Sequence, residues 1–151
     1  MKLGEALSVR ARQAQKLNDL RSRIKQNAQQ QGDEATPENA EALVAEFIDL
    51  SSEHSNLILK INKANAETEV APGTVLLDLL MEREDLNRQR GTLEMAANSA
   101  STNDSYRWHR SELPMKPAVN VPRLREHAEN ITEKVAELDA QIQTVNWQTE
   151  I

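Results

Sequence analysis

Cysteine is absent from this chain of 151 residues, which excludes disulfides and thiol chemistry. Aromatic side chains are almost absent: Phe47, Tyr106, Trp108 and Trp147 are the whole set, so Leu, Ile, Val and Ala must build the core. Glycine occurs only at positions 4, 32, 73 and 91. No apolar run approaches the length of about eighteen residues that a membrane helix needs. The polar stretch Met1 to Gln31 lacks the apolar segment of a signal peptide, so a cytoplasmic location with no membrane association is expected. What remains is abundant Ala, Leu, Glu, Gln and Arg, the composition of long helices in a single domain.

Charge is unevenly placed. Residues 1–31 hold seven Lys or Arg against Glu5 and Asp19, while the stretch Asp33 to Glu53 has seven acids and no base. A basic helix followed by an acidic one reads first as a pair of helices. A nucleic-acid-binding arm is the alternative reading of the same charges.

Four segments carry apolar residues at helical spacing. The first, with Leu3, Leu7, Ala14, Leu17, Leu20, Ile24 and Ala28, predicts a helix over about 2–31, stopped by Gly32. Thr36-Pro37-Glu38 predicts the start of the second, over about 37–68. Its seam runs Leu43, Phe47, Leu50, His54, Leu57, Ile61 and Ala64, widened by Val44, Ile48 and Ile58. Pro72 and Gly73 mark a turn, and Thr74 is placed to cap the third helix, over about 75–100. Gly91 sits within it, as for a bend or a close helix approach. The fourth, over about 121–147, starts at Asn120 and Pro122. It follows a strict 4-3 alternation: Leu124, Ala128, Ile131, Val135, Leu138, Ile142 and Val145. Between the last two helices, residues 101–120 form an extended linker, with a short β-ribbon over 106–119 as a variant. Trp147 and Ile151, one turn apart, are placed to cap a bundle end or touch a partner chain.

Sites of chemistry are sparse. A carboxylate-bridged metal site in a bundle uses Glu at i and His at i+3, but Ser51, Tyr106 and Leu124 precede His54, His109 and His127 at that spacing. No nucleophile elbow or Gly-rich phosphate loop is present. No metal, cofactor or catalytic residue is therefore expected. His54 reads as a seam histidine that sets register. Arg107, Trp108 and Arg110, beside Tyr106 and His109, form the densest aromatic-cationic cluster, suited to a protein contact or, alternatively, to stacking on bases. Asn62 and Asn65, near the end of the second helix, read as termination residues or as part of a polar site.

Four pieces together resemble a family of small bacterial proteins often labelled septicolysin-like. They are Met1-Lys2-Leu3-Gly4-Glu5-Ala6-Leu7; Ile61-Asn62-Lys63-Ala64-Asn65 with Thr68; Arg107 to Leu113, including Glu112; and Asn146 to Ile151. Trp108-His109 stands where the family has Tyr-Ser. The resemblance implies a helical, coiled-coil-like fold and a bacterial or phage source, and brings no established activity. The label itself implies a membrane pore, for which the sequence offers neither an apolar span nor a strongly hydrophobic amphipathic face.

The expectation is thus an all-α protein of four long helices in two antiparallel hairpins. Its function is read as a non-enzymatic, homo-oligomeric scaffold or protein-interaction module. Asn62, Asn65, Arg107, Trp108, Arg110, Glu112 and Trp147 are the candidate interaction residues. Nucleic-acid binding through the basic first helix and residues 106–110 is the alternative.

Overall fold

A computed structural model describes residues 1–101 and 116–151 of the chain. It is all-α, with four helices in two paired hairpins: α1 (Leu3–Asn27) with α2 (Ala40–Glu67), and α3 (Leu76–Ser101) with α4 (Val121–Gln148). A two-stranded antiparallel ribbon, β1 (Glu69–Ala71) and β2 (Thr74–Val75), precedes α3. The chain divides into two compact units, residues 1–76 with 144–151, and residues 77–143. Among the described residues, no helix is long and apolar enough to cross a membrane.

In the first unit, Leu3, Ala6, Leu20, Leu43, Leu57, Ile61 and Leu76 are buried. Every residue of the anticipated α2 seam is buried or half-buried. Val44 and Ile48 do not widen it: they are 41% and 58% exposed on the other side of the helix. The basic and acidic helices pair as their charges suggest. Lys16 Nζ lies 2.7 Å from Glu46, and Arg23 forms a two-pronged contact with Glu38, including Nε donating to Oε2 at 3.0 Å. His54 sits at the same seam with Nδ1 3.2 Å from Gln13 Oε1, joining α2 to α1 as a register contact would.

In the second unit, Leu79, Ala97, Ala128, Ile131, Val135 and Ile142 are buried. The 4-3 stripe of α4 is inward-facing throughout, with Leu124, Leu138 and Val145 half-buried. Arg83 reaches across to Asp139 at 3.1 Å. Asn120 caps α4, its Oδ1 accepting from Arg123 N at 3.1 Å.

Two helix ends and one cap differ from expectation, and at both ends a side chain takes up a backbone group. Helix α1 stops at Asn27 rather than near residue 31. The Asn27 amide donates to Arg23 O at 2.9 Å, and its Oδ1 accepts from Glu38 N at 3.0 Å. Helix α2 starts at Ala40 rather than Pro37, because Asn39, not Thr36, is the cap: Asn39 Oδ1 accepts from Ala42 N at 3.0 Å. Thr36 instead donates its hydroxyl to Glu38 O at 2.7 Å. Thr74 does not cap α3, since it lies in β2. The ribbon turns through Pro72-Gly73, with Gly73 at φ 73° and its N–H held by Glu69 Oε1 at 3.0 Å. Gly91 makes no close approach, because a Cβ there would meet nothing within 4 Å. The β-ribbon variant over 106–119 falls mainly on residues 102–115, outside the described residues.

Candidate functional site

At the start of α1, residues far apart in sequence come together. Lys2 N donates to Glu5 Oε2 at 2.9 Å, closing the first turn of the helix. Leu3 N donates to Thr149 O and Ile151 N donates to Met1 O, both at 2.9 Å, so residues 1–3 and 149–151 run antiparallel. Lys2 Nζ donates to Gln148 O at 3.1 Å and lies 3.0 Å from Glu150. That ammonium holds the Glu150 carboxyl below the ordinary carboxylate range. The Trp147 indole lies directly over Gly4, where a Cβ would approach its ring carbons to 3.1 Å. A side chain at position 4 would press on this ring, which would have to give by a few tenths of an ångström; the backbone conformation makes no demand for glycine.

Beside this junction is an open concavity of about 360 Å³ between the end of α2 and residues 149–151. It is lined by Lys60, Lys63, Glu67 and Thr68 at the end of α2 and by Thr149 and Glu150. Its charges are mixed, its hydroxyls belong to threonines, and Ala64 and Ile151 add apolar surface.

Of the sequence candidates, Trp147 belongs to this junction; it is 56% exposed beyond its contact with Gly4. Asn65 is half-buried and Asn62 exposed in the last two turns of α2, and neither ends the helix. Termination belongs to Thr68, whose N–H bonds Ala64 O at 2.9 Å while its carbonyl accepts from Leu76 N at 2.8 Å. Arg107, Trp108, Arg110 and Glu112 lie outside the described residues. Three of the four stretches behind the septicolysin-like resemblance therefore belong to this one compact unit: residues 1–7, residues 61–68 and residues 146–151. In the sequence Lys2 and Gly4 stood within a resembling stretch without a role of their own, and Lys60 was not singled out; the contacts that join them come only from the fold.

A second polar cluster joins α1 to α2. Asn27 is 7% exposed beneath the Arg23–Glu38 pair, beside an open concavity of about 480 Å³. The hydrogen bond to Glu38 pushes the Arg23 guanidinium above its ordinary value, and Arg23 in turn lowers Glu38. Both effects favour the charged forms and fasten the hairpin. Among the described residues, no three His, Asp or Glu side chains are grouped to hold a metal ion.

A family description matches residues 10–151. The chain belongs to DUF6847, a family of unknown function. This DUF6847 chain is also similar to a functionally unknown conserved protein from Corynebacterium diphtheriae, solved by crystallography. The two share 28% identity and a TM-score of 0.92, over 100% of this chain and 98% of that one. No curated protein matches this member of DUF6847.

Proposed function

We propose that this protein is a non-enzymatic, homo-oligomeric helical scaffold or protein-interaction module, working in the cytoplasm. The observation that carries the reading is a second set of apolar side chains. Both hairpins already have inward seams, yet Val44, Ile48 and Leu59 on α2, and Leu77, Met81 and Met95 on α3, are each more than 40% exposed. Apolar side chains recurring on the outer face of a paired helix favour a partner. The polar junction around Lys2 and Trp147 supplies a further contact surface. The septicolysin-like resemblance adds kinship to this reading and no activity.

The test is the solution mass by light scattering after size exclusion, with absorbance recorded at 260 and 280 nm. A discrete oligomer free of nucleic acid is expected. A monomer at every concentration overturns the oligomeric part, and a defined turnover that survives rigorous purification overturns the non-enzymatic part.

One observation favours nucleic-acid binding as the second reading: Arg10, Arg12, Arg21 and Lys25 form no ion pair among the described residues. That reading predicts a salt-sensitive mobility shift with DNA or RNA, abolished by Arg10→Glu with Arg21→Glu. No shift at low salt removes it.

A further inference from the structure

At 3.6 residues per turn, the exposed residues Val44, Ile48 and Leu59 fall on one stripe of α2 only about 60° wide. The seam residues Leu43, Leu50, Leu57 and Ile61 lie on another stripe, about 150° away around the helix. Helix α2 is therefore apolar on two faces, and α1 uses one of them. Between Ile48 and Leu59 the outer stripe is filled by Ser52 and Ser55, both exposed. Small residues at that point let a second helix come close.

Charge names the occupant. Besides Glu46, which pairs with Lys16, and Glu67 in the last turn, the charges of α2 are Glu41, Asp49 and Glu53 in its first half and Lys60 and Lys63 in its second. None of these five forms an ion pair among the described residues. Asp49, Glu53, Lys60 and Lys63 lie on one flank of the outer stripe, with Glu41 at the stripe's edge on that side. When two copies of one helix pack antiparallel about a two-fold axis, each flank meets the same flank of the other copy, and residue i meets residue j twice. With the axis near residues 53 and 54, Ile48 of each copy packs on Leu59 of the other. Lys63 then falls within a turn of Glu41, and Lys60 within a turn of Asp49. A parallel two-fold pairing would instead set this charged flank against the opposite flank, where Ser51 and Ile58 carry no charge.

We infer that the outer face of α2 is a self-association surface, which takes a second copy of this chain in antiparallel register. The inference rests on the scaffold reading and names its interface. The 151-residue chain is expected at twice its 17.0 kDa mass in solution. Ile48→Asp, at a residue already 58% exposed, leaves helix content unchanged by circular dichroism and returns the chain to a monomer. Lys63→Glu weakens the dimer by about tenfold or more at low salt, and adding Glu41→Lys restores it. Because the chain has no cysteine, single spin labels report its orientation. Labels at Ser52→Cys lie close together across the axis, whereas labels at Ala66→Cys lie about 38 Å apart along it.

A dimer that survives Ile48→Asp, or Ala66 labels in close contact, overturns this interface and leaves the scaffold reading standing. Wild-type protein that is monomeric throughout overturns both.

Discussion

Asn27 shows how a single polar side chain decides where a helix ends. Its amide bonds Arg23 O behind it and Glu38 N ahead of it, and it is buried while doing so. Asn27→Ala strands the Glu38 N–H in a half-buried setting, at a cost of about 1–3 kcal/mol. Urea denaturation should show that loss, and a change below about 0.5 kcal/mol would mean that water replaces both bonds. None of this was legible in the sequence, where Asn27 stands in a polar run beside Gln26 and Ala28 looked like the apolar position. Periodicity registers apolar repeats and is blind to a polar group buried with its partners. His54 was more legible because it broke an otherwise apolar seam, although Gln13 as its partner was not. Gly4 and Trp147 sat in stretches singled out for other reasons, and only the fold brings them into contact.

At the scale of helices and strands, the apolar stripes carried most of the information. The seams of α2 and α4 face inward because a 4-3 repeat can bury only one side of a helix. Where α2 carried more apolar residues than one seam needs, the excess was misread as a broader seam; Val44 and Ile48 form a second face instead. The ends were read less well. They depend on single local bonds, from side chain to backbone at Asn27 and Asn39 and between backbone groups at Thr68, and the ribbon over 69–75 is too short for an alternating pattern to reveal. Gly91 tests the reading of α3. It lies mid-helix, and a Cβ there meets nothing. Gly91→Ala should therefore raise stability by about 0.4–1 kcal/mol, seen as a higher thermal midpoint. A lower midpoint would show that this position needs glycine for a reason other than space.

For the molecule as a whole, the paired carboxylates set the response to acid. Glu38, Glu46, Asp85 and Glu150 are all lowered, each first by a hydrogen bond from a cationic partner: Arg23, Lys16, Arg88 and Lys2 respectively. A carboxylate whose folded value is depressed contributes stability that is complete above its ordinary unfolded value. That contribution is lost as pH falls through the folded value. The unfolding midpoint should stay level from neutrality to about pH 5 and fall below about pH 4. Lys16→Met should make the acid limb shallower, and a midpoint insensitive to pH over this range would show that these pairs do not support the fold. The first unit also has a consequence for synthesis on the ribosome. Leu3 bonds Thr149 across nearly the whole chain, and Gly4 waits for Trp147. The α1–α2 hairpin is available early through local contacts, but this junction closes only after residues 77–143 have been made. Its formation therefore carries the loop-closure delay of a high contact order and comes late in folding. Until then, the underside of α1 at Leu3 and Gly4 is open to chaperones or to another nascent chain.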